Sequence, residues 1–143
     1  MQVKDIMTTK VIPIQASETV EVAARYLARY NIGALPVCDG TGKLCGMVTD
    51  RDLVIRCMAA AKNPAVTTVR EVMTGQVVSI KPDMHTSVAA HLMGSGQIRR
   101  LPVTENGKLC GMLSLGDLAS REENVLDAAD ALADITDNIS GRF

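Results

Sequence analysis

An internal repeat is the feature that most constrains how this chain folds. Residues 3–37 align with residues 69–103 at an offset of 66, and residues 42–53 align with residues 107–118 at an offset of 65. Twenty of the 47 aligned positions are identical, including the unbroken string Gly-Lys-Leu-Cys-Gly-Met, so the two halves are copies of one unit. Because a unit of about 60 residues buries too little apolar surface to be stable alone, we expect the copies to pack around one shared core.

Each copy predicts two helices and three strands in the order β-α-β-β-α. A short alternating apolar run predicts a strand, and a helix then starts at Ser17 or Asp83. Two further apolar runs, separated by a glycine-containing turn, predict a hairpin, and the second helix starts at Thr49 or Ser114. The predicted strands are residues 11–14, 34–38 and 44–48 in the first copy and residues 77–80, 100–104 and 109–113 in the second.

The repeat also sets the predicted domain organisation. We expect repeat 1 over residues 1–64, repeat 2 over residues 65–122, and an acidic C-terminal helix or tail over residues 123–143. The spacing of Thr68 and Glu71 is that of a capping box, which marks the start of the second copy. The predicted fold class is α/β (α+β), with two β-α-β-β-α repeats related by a pseudo-two-fold axis and their sheets packed together.

The C-terminal segment has the pattern of a short amphipathic acidic helix. Such a helix would dock on the domain or on a partner, and a frayed tail is the alternative. The apolar residues predicted to share its buried face are Val125, Leu126, Ala129, Leu132, Ala133 and Ile135.

Composition and charge narrow the classes of partner. The net charge of −1 and an aromatic content of 2% argue against a nucleic-acid partner, which needs positive charge and base-stacking side chains. No apolar run approaches the roughly 20 residues that span a bilayer, and the N-terminus does not resemble a signal peptide. We therefore expect no membrane partner and a cytoplasmic location.

The four cysteines lack the spacing of a metal site or of a paired redox motif. None of them forms a Cys-x-x-Cys, and the only histidines are His85 and His91. The cysteines are therefore predicted to be buried free thiols, with no metal bound. They are Cys38, Cys45, Cys57 and Cys110.

Ordered strings in both copies resemble the signatures of CBS (cystathionine β-synthase) domains. Three of these strings are Gly33-Ala34-Leu35-Pro36-Val37, Gly46-Met47-Val48-Thr49-Asp50-Arg51-Asp52-Leu53 and Gly111-Met112-Leu113-Ser114-Leu115-Gly116-Asp117-Leu118. The resemblance covers about residues 3–119 and extends to stand-alone bacterial pairs of the hypoxic-response and general-stress types. It implies a tandem CBS pair, or Bateman module.

The resemblance implies two clefts that bind an adenosine-containing molecule, of which AMP, ADP and ATP are the expected examples. A Ser/Thr-x-x-Asp string at a helix start would contact the ribose hydroxyls, and it occurs here as Thr49 to Asp52 and as Ser114 to Asp117. The same string is also a capping box, a purely structural device, so both interpretations stay open.

Each cleft would combine residues from both repeats. Cleft A would be lined by Val11, Ile12, Pro13, Ala34, Leu35, Pro36, Met112, Ser114 and Asp117. Cleft B would be lined by Met47, Thr49, Arg51, Asp52, Val77, Val78, Ser79, Ile98, Arg99, Arg100, Leu101 and Pro102. The arginines favour cleft B as the site for a charged nucleotide, because guanidinium groups suit phosphate; solvated surface arginines are the alternative.

The predicted function is a regulatory module that senses adenine nucleotides without catalysis. No nucleophile with an adjacent base, no phosphate-binding loop and no Gly-x-Gly-x-x-Gly string is present. No cofactor is required, a protein effector of unknown identity would receive the signal, and the chain is expected to form a homodimer. The alternative is a structural or protein-interaction dimer with empty clefts or a non-adenosyl ligand.

Overall fold

The computed structural model describes residues 1–140, with side chains described as far as residue 137, and two compact units form within it. The first-repeat unit is Ile12–Val77. The second-repeat unit combines Met1–Val11 with the described residues from Val78 onward. The units therefore have bounds different from those of the sequence repeats, because the first eleven residues pack with the second copy.

The first-repeat unit has a three-stranded sheet with helices packed against it. Its elements are β1 (Ile14–Gln15), α1 (Val20–Tyr30), β2 (Ala34–Cys38), β3 (Leu44–Thr49), α2 (Asp50–Leu53), a π-helical turn (Val54–Met58) and α3 (Val69–Val72). β1 lies parallel to β2, and β2 is antiparallel to β3. Leu35, Val37 and Val48 share the sheet face that α1 and α3 cover, and they are fully buried.

The second-repeat unit repeats this plan on a two-stranded sheet. Its elements are a 3-10 turn (Val3–Asp5), α4 (Thr86–Gly96), β4 (Arg100–Glu105), β5 (Lys108–Ser114), α5 (Leu115–Ala119), a second 3-10 turn (Glu122–Asn124) and α6 (Val125–Ser140). β4 and β5 are antiparallel, and Leu101, Val103 and Leu113 are the equivalent buried residues. Each unit carries its own cluster of buried residues.

Residues 3–8 and 69–74, the two leading segments, each pair with the hairpin of the other repeat. The amide of Thr8 donates to the carbonyl of Met112 and the Met112 amide returns the bond to Thr8, both at 2.9 Å. Met47 and Thr74 exchange the same pair of bonds at 3.0 and 2.9 Å. Glycine precedes each methionine, because a Cβ there would meet the leading segment closely.

The hairpins and the second helices follow the prediction closely. β2, β3, β4 and β5 lie within one residue of their predicted bounds, because a turn between two apolar runs is a local signal. Thr49 and Ser114 are the N-caps of α2 and α5 as predicted. The Thr68–Glu71 capping box starts α3, with the Glu71 carboxylate accepting the Thr68 N–H at 2.7 Å.

The starts of the long helices were predicted wrongly. The N-caps are Thr19 and His85, each two residues after the predicted Ser17 and Asp83. The Thr19 hydroxyl accepts the Val22 N–H at 3.2 Å, and His85 Nδ1 accepts the Ser87 N–H at 3.0 Å. Bridges from Thr19 to Thr68 and from His85 to Gln2 hold the chain extended up to these caps, so pairing with residues around the leading segments sets the helix start.

The first strand of each copy is shorter than predicted. β1 contains only Ile14 and Gln15, and the second copy has a single parallel bridge between Ile80 and Val103. Pro13 has no amide hydrogen to give to a ladder, and Pro82 follows Ile80 closely. Residues 11–13 and 77–79 therefore lie outside regular strands.

The C-terminal segment is helical, but it buries a different face from the predicted one. Ala128, Ala131 and Ile135 point inward, whereas Val125, Leu126, Ala129, Leu132 and Ala133 are exposed. Of the predicted face only Ile135 is buried. Small residues face inward because α6 lies close to α4, where a Cβ added to Gly94 would lie 3.3 Å from the Ala131 Cα.

Candidate functional site

Thr49 and Asp52 form a reciprocal capping box at the start of α2. The Thr49 hydroxyl accepts the Asp52 N–H at 3.1 Å, and Asp52 Oδ2 accepts the Thr49 N–H at 2.9 Å. The Asp50 N–H also donates to the Gly33 carbonyl at 3.0 Å, which ties the helix start to the end of the preceding strand. The structural interpretation of this string is therefore confirmed.

Ser114 and Asp117 repeat this geometry at the start of α5. The Ser114 hydroxyl accepts the Asp117 N–H at 3.0 Å, and Asp117 Oδ2 accepts the Ser114 N–H at 2.8 Å. The Leu115 N–H donates to the Arg99 carbonyl at 2.8 Å, as the Asp50 N–H does in the first copy. Both helix starts therefore hold a capping carboxylate, and most of their first N–H groups already donate within the protein.

Each capping carboxylate uses only one of its two oxygens. Within the described part of the chain, Asp117 Oδ1 accepts no hydrogen bond, and Asp52 Oδ1 has only the Arg56 Nε, 3.9 Å away. The Asp52 side chain is 15% exposed, so the carboxylate is partly shielded from solvent. Capping and ligand binding are thus compatible in one side chain, because they involve different oxygens.

Arg56 is a residue of this site that the sequence analysis did not single out. Its Nη1 donates to the carbonyls of Val72 and Met73, both at 3.1 Å, while its Nε faces Asp52. Arg56 thus joins the α2 carboxylate to the second leading segment. Its position four residues after Asp52, one helical turn away, is a signal that could have identified it.

The strand register brings together residues that the two predicted clefts separate. Ala34 lies opposite Thr49 on β2 and β3, and Arg100 lies opposite Ser114 on β4 and β5. Of the cleft A residues, Ile12, Pro13, Ala34, Leu35 and Pro36 belong to the first-repeat unit, and Val11, Met112, Ser114 and Asp117 belong to the second. Of the cleft B residues, Met47, Thr49, Arg51, Asp52 and Val77 belong to the first-repeat unit, and Val78, Ser79, Ile98, Arg99, Arg100, Leu101 and Pro102 belong to the second.

Burial divides these predicted contact residues into two groups. Leu35 and Leu101 are fully buried in the cores, so only their backbone groups remain for a ligand. Pro36 and Pro102 are buried as well. The partly or fully exposed members are Val11, Ile12, Pro13, Ala34, Met47, Thr49, Arg51, Asp52, Val77, Val78, Ser79, Ile98, Arg99, Arg100, Met112, Ser114 and Asp117.

All four cysteines are free thiols, but only Cys38 and Cys57 are fully buried. Burial raises the pKa of the Cys38 thiol, with smaller contributions from Cys45 and Asp39. Burial also raises the pKa of Cys110. Over the described residues, no three side chains of His, Cys, Asp or Glu come together as a metal site.

The family model of the CBS domain matches the chain twice, over residues 3–58 and 69–124. The chain belongs to the CBS domain family. The two matches are the two copies, so the predicted fold, a mixed α/β pair of CBS domains, is confirmed. A CBS domain pair is a regulatory module, and this coarser part of the predicted function holds as well.

Similar proteins cover nearly the whole pair. CBS domain-containing protein YhcV of Bacillus subtilis is 40% identical over 134 residues, which are 94% of each chain. Hypoxic response protein 1 of Mycobacterium tuberculosis is 34% identical over 116 residues, 81% of each chain. A crystal structure of Hypoxic Response Protein I with two coordinated zinc ions has a TM-score of 0.79 at 32% identity, covering 85% of this chain and 98% of that one.

One similar structure contains adenosine compounds. The CBS domain pair of protein MJ0100, in complex with 5′-methylthioadenosine and S-adenosyl-L-methionine, has a TM-score of 0.74 at 29% identity. It covers 84% of this chain and 94% of that one.

In the described part of the present CBS pair, no helix has the length and hydropathy needed to cross a membrane.

Proposed function

We propose that this CBS domain pair is a sensor that binds an adenine nucleotide, AMP, ADP or ATP, at the starts of α2 and α5, and that it catalyses no reaction. The observation that carries the proposal is the second carboxylate oxygen of Asp52 and of Asp117, which the capping boxes leave available. The adenosine compounds bound to the CBS pair of MJ0100 support the ligand class.

The chemistry of the two helix starts suits a ribose phosphate. A carboxylate oxygen accepts hydrogen bonds from the two adjacent ribose hydroxyls, and guanidinium groups nearby pair with phosphate. Arg51 is exposed beside Asp52, and Arg99 and Arg100 are exposed beside the start of α5. These three guanidinium groups are the proposed phosphate contacts, and no further cofactor is needed.

The second candidate function is a structural or protein-interaction module whose sites stay empty or take a non-adenosyl ligand. The observation that favours it is that both capping boxes are complete without a ligand. Under either function, we propose that the chain forms a homodimer and passes its state to a separate effector protein.

Thermal-shift screening and titration calorimetry with AMP, ADP, ATP and adenosine test the proposal, because a ligand that binds only the folded state raises the melting temperature. Asp52→Ala removes a charge-assisted acceptor worth about 1.5–3 kcal/mol, so affinity should fall roughly ten- to a hundred-fold. Asp117→Ala should lower affinity at the start of α5 in the same way, because Arg99 and Arg100 lie beside it. Arg100→Ala should weaken ATP more than adenosine, which has no phosphate.

Glu71→Ala is the matched control, because Glu71 closes the capping box of α3 and is not a proposed contact. It should destabilise a helix start without changing nucleotide affinity. If Asp52→Ala binds AMP and ATP as tightly as the parent protein, Asp52 is only a cap. If the parent protein binds none of the four compounds, the structural or interaction function replaces the proposal.

A further inference from the structure

α6 has a second, uncovered face. An exposed apolar stripe runs round the helix from Leu132, next to the buried residues and 44% exposed, to Leu126 on the far side, which is 81% exposed. The other exposed apolar members of this stripe are Val125, Ala129 and Ala133. An acidic stripe, in which no side chain pairs with a base among the described residues, lies beside it and consists of Asp127, Asp130, Asp134 and Asp137.

α1 carries the complementary face on the first-repeat unit. Ala24 and Ala28 form a small exposed apolar stripe, and Arg25 and Arg29 lie beside it. Arg25 pairs with Glu21 on the same helix, whereas Arg29 has no acidic partner within the part of the chain that the structure describes. The π-helical turn continues α2, which contacts α1, and adds further exposed apolar side chains, namely Val54, Ile55 and Met58.

The other repeat shows what covers a face of this kind. Ala24 and Ala28 correspond, at the repeat offset, to Ala90 and Gly94 of α4, which are buried. The cover is α6, whose Ala131 packs on Gly94. The same position is thus helix-covered in one unit and bare in the other, although small residues suit both to close helix packing.

Charge indicates which surface of a second copy fits the bare face. Two α6 faces would set four acids against four acids, and two α1 faces would set arginine against arginine, so like faces repel. An α6 face against an α1 face pairs opposite charges and buries both apolar stripes. Viewed from its N-terminus, each helix has its charged stripe on the same side of its apolar stripe. Antiparallel packing of α6 on α1 therefore brings the aspartates of one helix beside the arginines of the other.

We infer that two copies of this chain associate through unlike faces: the outer face of α6 in one copy packs on the α1 face of the other. The inference rests on the homodimer proposed above and specifies its contacts. It does not depend on nucleotide binding. The exposed apolar residues on both faces would then be buried by the partner copy.

Charge reversal followed by rescue tests the pairing. Sedimentation velocity over a concentration series is run on the full chain, on Arg25→Glu/Arg29→Glu, on Asp130→Lys/Asp137→Lys, and on the four substitutions combined. We expect each pair of reversals to weaken self-association at least about tenfold, since close charge pairs set partner choice, and the combined protein to recover most of it. Lys108→Glu, an exposed reversal on β5, should have no effect, and circular dichroism checks that each variant stays folded.

The possible outcomes distinguish the unlike-face contact from the homodimer and from nucleotide binding. A parent dimer that neither reversal weakens, or that the combined protein does not restore, overturns the unlike-face contact while self-association stands. A parent mass that stays at 15.2 kDa at every concentration overturns the homodimer and this contact together. Calorimetry with AMP on the same samples reports separately on nucleotide binding.

Discussion

Gly46 and Gly111 occupy the same position in β3 and β5, and each faces a leading segment. A Cβ on Gly46 would overlap the Thr74 carbonyl oxygen, which is backbone and cannot turn aside. A Cβ on Gly111 would lie 2.7 Å from the Met7 Sδ and 3.0 Å from the Thr8 carbonyl oxygen, and the first of these atoms belongs to a flexible side chain. The two equivalent glycines therefore differ in how strictly the structure requires them.

Gly46→Ala should lower the free energy of unfolding by roughly 1–3 kcal/mol, because the added methyl group forces the second leading segment away from β3. Gly111→Ala should cost less, since Met7 can adopt another rotamer. Urea denaturation measures both. Gly40→Ala is the control, because a Cβ there meets nothing within 4 Å. Equal losses for Gly46→Ala and Gly40→Ala would show that close approach is not the cause.

The carboxyl of Glu71 provides a pH-dependent test of the α3 cap. Hydrogen bonds from the Thr68 backbone and then from the Thr68 hydroxyl hold the pKa of Glu71 below its ordinary 4.5. A lowered folded-state pKa contributes stability above the unfolded pKa, and this contribution is lost as the pH falls through the folded value. Thr68→Val should therefore move the pKa of Glu71 upward in an NMR titration and reduce this acid-side loss.

The backbone bond from Thr68 remains in that variant, so the pKa of Glu71 should rise only part of the way toward 4.5. Thr9→Val, at an exposed position in the other unit, is the control and should leave the titration of Glu71 unchanged. A Glu71 pKa that does not move in Thr68→Val would mean that the hydroxyl makes no contribution.

At the scale of elements, α6 closes the second-repeat unit by lying close to α4. Ala128, Ala131 and Ile135 form its contact side, and Gly94 provides the space on α4. Small residues allow this approach, so the size of the side chain at the contact matters more than its hydrophobicity.

Ala131→Leu should separate α6 from α4, because the larger side chain has no room beside Gly94. Overpacking of this kind costs about 1–3 kcal/mol, and the amides of α6 should exchange hydrogen faster. Hydrogen exchange followed by mass spectrometry measures this. Ala119→Leu, at an exposed position in α5, should leave α6 protected. Protection of α6 that survives Ala131→Leu would show that the contact tolerates the larger side chain.

Elements whose signals are local could be predicted from the sequence, and those set by distant partners could not. The hairpins and the caps at Thr49 and Ser114 depend on neighbouring residues, and the structure confirms them. The caps at Thr19 and His85 depend on pairing with residues more than 45 positions away, so local preference placed them too early. The buried face of α6 was mistaken because leucine outranks alanine in hydrophobicity, whereas the contact requires small side chains.

The predicted site residues also divide into those with local sequence signals and those set by distant partners. The two Ser/Thr-x-x-Asp strings identified the helix starts and their carboxylates correctly as capping boxes. Leu35 and Leu101 were included because they lie within family strings, but strand alternation turns their side chains into the cores. Arg56 was missed because its partners, the Val72 and Met73 carbonyls, belong to a segment that folds back from another part of the chain.

At the scale of the whole molecule, each leading segment contributes to the core of the unit that holds the other repeat. Val3 is fully buried among residues of the second copy, and Val69 is fully buried among residues of the first. Each of these two valines therefore belongs to one repeat by sequence and to the unit of the other repeat by packing.

Val3→Ala should destabilise the second-repeat unit, and Val69→Ala should destabilise the first-repeat unit. Each removes buried methyl groups, at a cost of roughly 1–3 kcal/mol. Native-state hydrogen exchange resolves the two effects. We expect lost protection in β4 and β5 for Val3→Ala, and in β2 and β3 for Val69→Ala. Each variant is the control for the other. The same pattern of lost protection in both would contradict the assignment of each leading segment to the unit of the other repeat.

The exchange of leading segments also bears on how the chain folds as the ribosome releases it. Ile12–Val77 is continuous, so all of its partners emerge before the second hairpin is made, whereas residues 3–8 must wait for β5. Domains generally fold in the order of synthesis, and contacts between distant residues form slowly. Because the two leading segments are copies, residues 3–8 are available to the edge of β3 before residues 69–74 emerge. We therefore expect residues 3–8 to compete with residues 69–74 for the edge of β3 while the chain is being made.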